Sequence, residues 1–294
     1  KKYGANYLAH GSTGAGNDQI RFDVSLSVLA PKMKVLTPIR ELAISRNDEV
    51  EYLKKHNITI SDDVQEYSIN VGMLGITVGG GETKGSWDAP PDKVIPNFNS
   101  IDSAPAKPFG MIISFDKGLP ISIDGKKMES VAIMEFLNTL GAKYSIGKNI
   151  HLGNTILGIK GRILFAAPAA VILIRAHTEL EKLVHTKWQS FWKNTVSEFY
   201  GGMLHEALYF DPAMRDFEVF IQSTQKFVSG DVKISLFKGN VSVEGVKSKY
   251  SLMDSKVATY GEENLLWDAR DVSGFSKIYG LSSVIAASAQ GNNK

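Results

Sequence analysis

The stretch that most constrains the fold of this chain is His10–Asp23, which reads HGSTGAGNDQIRFD. Its three glycines allow the backbone to turn with positive φ and to approach a ligand closely, and its Ser, Thr, Asn and Asp side chains supply polar groups. The apolar YLA before it predicts the end of a buried strand, and DQIRFDVSLSVLA after it predicts a helix. Open α/β sheets bind ligands at such turns between strand and helix. We therefore predict a site for a small polar ligand here.

Spacing alone leaves a plainer interpretation of this stretch open. A tight turn between a strand and a helix, with Asp18 as the N-terminal cap, uses the same residue types. The pattern matches neither GxGxxG nor GxxxxGK[ST], so it is not a standard phosphate-binding loop.

Composition excludes several classes of function. Lys and Arg number 33 and Asp and Glu number 31 among 294 residues, so net charge does not favour nucleic acid or an anionic membrane as a partner. The absence of cysteine excludes disulfides and thiolate chemistry and agrees with a reducing compartment. The most apolar run, Ile163–Ile174, is too short to cross a bilayer. Because His177, His185 and His205 lack the spacing of HExxH, we expect no metal ligands among them.

Elsewhere the chain predicts two kinds of structure. Up to about Ile60 we expect an α/β unit, with a strand at Met33–Leu36 and a helix capped by Ser45 or Asn47. The six glycines of Tyr67–Asp88 predict an irregular backbone that approaches a ligand or another chain segment, although a flexible loop has the same composition.

The later part predicts antiparallel sheet and helices. An extended crossover from Asp88 to Pro108 precedes strands that turn at 116–118 and 124–125. The remaining expectations are a helix Ser130–Leu140 with an apolar stripe of Val131, Met134, Leu137 and Leu140, a core or subunit-contact stripe of Trp188, Phe191, Trp192 and Phe199, a helix from Pro212 to about Phe227, and a hairpin turning at 238–240.

The residues of the first motif also carry a resemblance. HGSTGAGNDQIRF resembles the HGxTGKGNDQVRF signature of the argininosuccinate synthase family. PIREL, RNDEVEYLKKHNI, YSIN (against YSxDEN), GIKGR and DVSGF follow in the family's order, so the resemblance covers nearly the whole chain. It implies an α/β nucleotide-binding domain of the adenine nucleotide alpha hydrolase type, of which residues 1–60 are the C-terminal remnant, then an α+β synthetase domain at 61–281. The composition of residues 282–294, rich in small residues and polar at the end, predicts a mobile tail.

The family joins L-citrulline to L-aspartate at the expense of ATP, with Mg²⁺ neutralising the phosphates. The resemblance therefore implies a cytoplasmic ligase of arginine biosynthesis that forms a homo-oligomer, a tetramer in the family, and binds neither nucleic acid nor membrane. Carried over residue by residue, it implies three sets of ligands and no catalytic side chain. The sets are Thr13, Asn17 and Asp18 for aspartate; Asn17, Arg21, Ser68 and Thr77 for citrulline; and Gly11, Thr13, Asp18 and Asn70 for ATP.

The chain departs from the family pattern at several positions. Ala15, Gly153, Phe165 and Ala166 replace a lysine, a citrulline-binding glutamate, a tyrosine and the glutamate after it, and Asn70 replaces an aspartate. No SGGxD motif occurs, so we expect a fragment that does not catalyse the reaction by itself. Three alternatives stay open: a non-catalytic amino-acid-binding relative, an oligomerisation module, and another nucleotide-dependent ligase.

Overall fold

The computed structural model describes residues 4–14, 16–59, 66–253, 264 and 266–291. Ala15 and Ile60, the expected end of the first domain, therefore lie outside the described residues. The chain divides into two compact units, Lys1–Tyr250 and Ser251–Lys294.

The larger unit begins with a small α/β element. Strand β1 (Tyr7–Ala9) pairs in parallel with β2 (Lys34–Leu36), and α1 (Asp18–Leu29) connects them. Two helices follow, α2 (Pro38–Glu41) and α3 (Arg46–Lys55). Strand, helix and strand are confirmed, but the expectation that β1 is buried is wrong, because Tyr7 is 53% exposed.

Helix α3 begins as its sequence predicts. Ser45 is the N-cap: its hydroxyl accepts a hydrogen bond from the backbone N–H of Asp48, whose carboxylate accepts one from the N–H of Ser45. This reciprocal capping box satisfies two backbone donors that a helix start otherwise leaves unpaired.

The glycine-rich stretch is more regular than its composition predicts. Residues 67–80 form a hairpin of β3 (Tyr67–Gly72) and β4 (Gly75–Gly80), and residues 81–84 form a 3-10 helix. The irregular backbone expected here is therefore wrong for most of the stretch, but the expected close approach to another segment is found at Gly75, next to the carbonyl oxygen of Ala166, and at Gly80. Gly80 has φ of 96°, and a Cβ there would overlap the carbonyl oxygen of Glu66.

The next segment forms antiparallel strands and helices. After a crossover with one short 3-10 helix at Asp92–Val94, the strands and helices are β5 (Phe109–Asp116), β6 (Leu119–Ile123), β7 (Lys126–Lys127), α4 (Ser130–Lys143), β8 (Lys148–Asn154), β9 (Lys160–Ala166), α5 (Pro168–Val184), α6 (Lys187–His205), α7 (Pro212–Gln225), β10 (Gly230–Phe237) and β11 (Asn240–Lys247). The crossover, the predicted turns and the helix that starts at Pro212 are confirmed.

A five-stranded antiparallel sheet, ordered β11-β10-β5-β6-β7, carries the main core. Residues alternate between a buried and an open face along β5 and β10, so every second side chain meets helices α4 and α5. The largest fully buried side chains in this core are Ile113, Ile133, Leu137, Ile146, Ile172, Leu180, Val228, Val232, Ile234 and Leu236.

A second, four-stranded antiparallel sheet is ordered β3-β4-β9-β8. Val78 and Leu164 lie on its packed face and form a smaller core with Ile95 and Tyr67. The pairings Asn70 with Thr77 and Gly161 with Gly153 place those residues on its other face.

Two predicted apolar stripes differ from those observed. On α4, Met134, Leu137 and Leu140 pack in the core as predicted. Val131 is 53% exposed instead, and Ile133, which the predicted stripe omitted, is fully buried. On α6 the four aromatic side chains of the predicted stripe are 52–65% exposed. They are not part of the core of this chain, and a subunit contact through them stays a prediction.

The smaller unit contains two helices, α8 (Ala269–Tyr279) and α9 (Leu281–Ala289). Asp268 caps α8 by accepting hydrogen bonds from the backbone N–H groups of Arg270 and Asp271. Residues 282–289, expected to be a mobile tail, are helical. Among the described residues, no helix is both long and apolar enough to cross a membrane.

Candidate functional site

A pocket of about 610 Å³ lies between the open face of the four-stranded sheet, the start of α1 and the end of α6. Its walls come from segments far apart in the chain. The lining residues are Asn17, Asp18, Arg21, Asn70, Thr77, His151, Gly153, Asn154, Thr155, Gly161, Arg162, Ile163 and His205.

Strand register explains which sheet residues face the pocket. Thr77 of β4 lies opposite Asn70 of β3 and opposite Phe165 of β9, and Ile163 of β9 lies opposite His151 of β8. Directly paired residues of antiparallel strands share a face, and so do residues two apart along a strand. The polar residues of this face therefore line the pocket, while the apolar residues between them form the small core behind it.

Asn17 connects the glycine-rich loop to this sheet. It precedes α1, but its side chain makes no capping hydrogen bond. Its Oδ1 instead accepts a hydrogen bond of 2.9 Å from the backbone N–H of Ile156, in the loop between β8 and β9. The start of α1 is thereby held against the sheet.

Arg21 lies one helical turn after Asp18 and points toward the end of α6. Its Nη1 donates to Asp18 Oδ1 at 3.2 Å, and its Nη2 lies 3.2 Å from Nδ1 of His205. Its Nε and Nη2 also donate to the backbone oxygen of His205 at 3.4 Å, which is long for a hydrogen bond. A ligand carboxylate could replace these long contacts.

Polar contacts behind the loop hold it in place. The backbone N–H of Ser12 donates to Nδ1 of His10, and the other ring nitrogen of His10 lies 3.2 Å from Asp23 Oδ1. Arg40 donates to Asp23 Oδ2 at 2.6 Å and to the side-chain oxygen of Gln19 at 3.2 Å. Gln19 is buried and donates to the carbonyl oxygen of Gly14.

The pKa of Asp23 reflects these partners. Partial burial, the largest single influence, raises it, but the hydrogen bonds from Arg40 and His10 and their charges together hold the pKa below its ordinary value. The carboxylate thus stays ionised and keeps both partners.

The pocket brings together five of the eight residues assigned to ligands on the sequence. They are Asn17, Asp18, Arg21, Asn70 and Thr77. Ser68 lies on the same sheet face, two residues before Asn70 on β3. Gly11 and Thr13 do not line this pocket and lie exposed in the loop before α1. Asp18 is the first residue of α1 rather than its cap, so the plainer interpretation of the loop is wrong on that point.

The sequence analysis missed several lining residues. His205 lies 184 residues from Arg21, and no local pattern connects them. His151 was detectable, because it lies two residues before Gly153 on a strand and so shares its face. Arg162 donates from Nη1 to the carbonyl oxygens of Gly85 at 2.9 Å and Asp88 at 2.7 Å, which orders the segment beside the pocket.

Three departures from the family pattern lie in the four-stranded sheet, two on its pocket face and one on its packed face. Gly153 lines the pocket, and Phe165 lies on the same face opposite Thr77. Ala166 lies on the packed face and is 1% exposed, so it does not reach a ligand there.

Both parts of the chain match models of known protein domains. Residues 1–59 match the model of the argininosuccinate synthase N-terminal HUP domain, and residues 67–286 match that of the C-terminal domain. The chain belongs to the argininosuccinate synthase family. An argininosuccinate synthase from Pyrococcus furiosus is 39% identical over 97% of this chain and 69% of its own length. One from Staphylococcus aureus is 40% identical over 97% of this chain and 71% of its own length.

The argininosuccinate synthases are ligases, and the family has an N-terminal HUP domain and a C-terminal synthetase domain. Within the described ranges, no three His, Cys, Asp or Glu side chains are close enough to hold a metal ion.

Proposed function

We propose that this protein catalyses the ATP-dependent ligation of L-citrulline and L-aspartate to argininosuccinate, with release of AMP and pyrophosphate. The observation that carries the proposal is the pocket in which the first motif, at 17–21, meets the YSIN strand and the GIKGR strand. These three motifs are widely separated in the chain, and the family relatives are synthases of this product by name. We further propose 1–60 as the C-terminal part of the nucleotide domain, 61–281 as the synthetase domain and 282–294 as a tail.

The reaction has two steps. The ureido oxygen of citrulline attacks the α-phosphorus of ATP, the bond to the β,γ-phosphates breaks, and pyrophosphate leaves. The ammonium group of aspartate gives a proton to solvent, and the resulting amine attacks the activated ureido carbon. AMP then leaves with the bonding electron pair, and the nitrogen loses a second proton to solvent. Positioning and charge neutralisation suffice for both steps, which fits a pocket of amides, hydroxyls and arginines.

Citrulline is held by four residues in this proposal. The planar donor fork of Arg21 suits the carboxylate of citrulline. Thr77, on β4, contributes a hydroxyl to the same pocket. Ser68 extends this hydroxyl row along the same face. Asn17 contacts both amino acids.

The other ligands belong to aspartate and to ATP. Asp18 receives the ammonium group of aspartate and Thr13 donates to its carboxylates. Gly11 allows the backbone to approach the nucleotide, to which Thr13, Asp18 and Asn70 also lie close. Asn70 carries no charge, so it contributes a hydrogen bond without repelling phosphate.

Magnesium, oligomeric state and compartment are also part of the proposal. The described residues offer no carboxylate cluster for Mg²⁺. We therefore place Mg²⁺ on the phosphates of ATP and assign it no protein ligand. The exposed aromatic side chains of α6 suit a contact in a homo-tetramer, and a cytoplasmic location accords with a chain without cysteine.

Pyrophosphate release tests the proposal. The assay contains ATP, saturating citrulline and aspartate, and it compares this chain with a fusion that carries an SGGxD-containing segment from a relative. Release that depends on citrulline, with argininosuccinate as product, supports the proposal. No release from either folded protein contradicts it and favours a non-catalytic amino-acid-binding relative, which Gly153 and Phe165 would suit.

Substitution of Arg21 tests the residue assignment. In whichever form releases pyrophosphate, Arg21→Ala should raise the KM for citrulline by about tenfold or more, because a charged hydrogen bond to the carboxylate is lost. The KM for ATP should change much less. The matched control is Arg175→Ala, which removes an exposed arginine that forms an ion pair with Glu179 on its own helix and does not line the pocket. A change confined to the KM for ATP would remove Arg21 from the citrulline site.

A further inference from the structure

The carboxylate of Asp23, on α1, lies behind the glycine-rich loop and is bound on both of its oxygens. Nη1 of Arg40 donates to Oδ2 at 2.6 Å, and Nε2 of His10 lies 3.2 Å from Oδ1. Asp23 does not line the pocket. Because both oxygens already have partners, we do not expect Asp23 to bind a substrate itself. Its two partners instead lead to the loop.

His10 is the first of these partners, and it leads to Ser12. Only 9% of the His10 side chain is exposed, and its Nδ1 faces the backbone N–H of Ser12 at 3.4 Å. Since Nδ1 accepts from this N–H, the ring proton lies on Nε2 and is donated to Asp23. Asp23 therefore fixes the tautomer in which the imidazole can accept from the loop.

Arg40 is the second partner, and it leads to Gly14 through Gln19. Nη1 of Arg40 also donates to Oε1 of Gln19 at 3.2 Å, and the amide nitrogen of Gln19 donates to the carbonyl oxygen of Gly14. The reversed amide would set donor against donor at Arg40 and acceptor against acceptor at Gly14. Gln19 is 6% exposed, so such a reversal would leave buried polar groups unpaired. Arg40 thus fixes the orientation of the amide that holds the loop.

The two hydrogen-bond chains end at Ser12 and Gly14, on either side of Thr13. Thr13 is exposed, and within the described part of the chain its hydroxyl has no hydrogen-bond partner. In the proposed function this hydroxyl contacts aspartate and ATP. Glycines give a loop more backbone freedom to lose, so holding both neighbours of Thr13 in advance lowers the entropy that binding costs.

We propose that Asp23 is a positioning residue for L-aspartate and ATP, acting through His10 and Arg40 on the two neighbours of Thr13. This inference rests on the proposed function and adds to it the group that orders the loop. Asp23 touches no substrate, so it affects binding only through the position of the Thr13 hydroxyl. Asp23→Asn would turn an amide nitrogen toward one of the two donors, and one of the two chains would be released.

Isothermal titration calorimetry with L-aspartate tests this role on the full chain and on the fusion, with citrulline and α,β-methylene-ATP present. Asp23→Asn should raise the Kd for aspartate by about tenfold, since a charged hydrogen bond is worth about that factor. The Kd for citrulline, titrated alone, should change by less than about twofold, because Arg21, Ser68 and Thr77 do not belong to the loop. An equal loss of affinity for citrulline would overturn the proposal and assign the effect to folding.

Three further variants separate positioning from a general loss of stability. Asp23→Glu keeps two acceptor oxygens and should recover most of the affinity for aspartate. Arg40→Met keeps the aliphatic stem and releases only the chain to Gly14, so it should raise the Kd severalfold, and it decides the question if Asp23→Asn does not fold. In a Thr13→Val background, which lacks the hydroxyl, Asp23→Asn should have little further effect.

The matched control is Asp92→Asn. It removes a carboxylate from a partly exposed ion pair with Lys148 and does not alter the pocket lining. Both dissociation constants should stay as in the unsubstituted protein.

The outcomes distinguish this inference from the proposed function. If neither the unsubstituted chain nor the fusion binds aspartate or releases pyrophosphate, the proposed function fails, and the role of Asp23 fails with it. If aspartate binds and Asp23→Asn binds it equally well, only the positioning role fails. A full effect of Asp23→Asn in the Thr13→Val background would also overturn it, because the carboxylate would then act by another route.

Discussion

The two antiparallel sheets of the larger unit each have an apolar packed face, but their second faces differ. In the five-stranded sheet, β5 and β10 alternate strictly, and α4 and α5 cover the apolar face. Its open face leaves Ile112 and Ile121 about 40% exposed. In the four-stranded sheet Thr77 and Ile163 on the corresponding face are half-buried, because the start of α1 and the end of α6 approach it.

The packed apolar faces therefore contribute mainly to stability, whereas the polar face of the four-stranded sheet forms the pocket. Apolar side chains on a packed face require only shape and hydrophobicity, and helices from the adjacent sequence supply both. The polar face of the four-stranded sheet is instead enclosed by segments that are distant in the chain. Asn17 accepts a hydrogen bond from Ile156, 139 residues away, and Nε2 of His205 lies 3.3 Å from the carbonyl oxygen of Asn154, 51 residues away. Substitutions on the two sheets should accordingly affect different measurements.

The largest expected effect is in the core of the five-stranded sheet. Leu180 on α5 is completely buried against this sheet. Leu180→Ala should lower the free energy of unfolding by about 2–5 kcal/mol, because it removes buried apolar surface and leaves a cavity. Urea denaturation measures the loss, with Val131→Ala, at a 53% exposed position of α4, as the control. Equal losses in the two variants would contradict the assignment of the core.

A smaller effect is expected beside the four-stranded sheet. Arg162→Ala removes the donor that holds the carbonyl oxygens of Glu82, Gly85 and Asp88, at 3.3, 2.9 and 2.7 Å. We expect a loss of about 1–2 kcal/mol in the free energy of unfolding, since three carbonyl oxygens in a partly exposed segment lose a charged donor. Weaker binding of citrulline should accompany it. A loss of stability without any change in binding would show that the two properties are separate even here.

The smallest effect is a dependence of stability on pH at the edge of the main core. Burial lowers the pKa of His177, and the nearby Glu181 carboxylate only partly opposes this. The unfolded chain therefore binds a proton at a higher pH than the folded one. Stability should be complete above the ordinary histidine pKa of about 6.5 and should fall as the pH decreases from there toward the folded pKa, by at most about 1.4 kcal/mol per unit.

Urea denaturation midpoints measured from about pH 5 to about pH 8, on both sides of the ordinary histidine pKa, test this dependence. His177→Gln should flatten the slope, whereas His56→Gln, at an exposed ring after α3, should not. The same slope in both variants would assign the dependence to other groups.

Sequence patterns predicted the structure well where short-range rules apply. Ser45 as a cap, Pro212 at a helix start and the turn at 238–239 each follow from the chemistry of a few adjacent residues. The same rules were wrong for the glycines of β3 and β4, because cross-strand pairing imposes regular structure on residues that are locally permissive.

The prediction of the site was likewise limited to short-range patterns. The first motif and YSIN provided residues that do meet in the pocket, but the contacts of Arg21 with His205 and of Asn17 with Ile156 span 184 and 139 residues. No local pattern contains such a pairing. The exposure of the aromatic residues on α6 was equally beyond the sequence, since helical spacing defines a stripe but not what covers it.

The amino-acid sequence by itself determined the family, through ordered motifs, and the helices and hairpins whose caps, turns and periodicity are local. The tertiary structure decided which face of the four-stranded sheet is open, which motif residues line the pocket, and that Asp23 is connected to the glycine-rich loop through His10 and Arg40. The physical reason is range: caps and turns involve neighbours along the chain, whereas pocket walls depend on packing between distant segments.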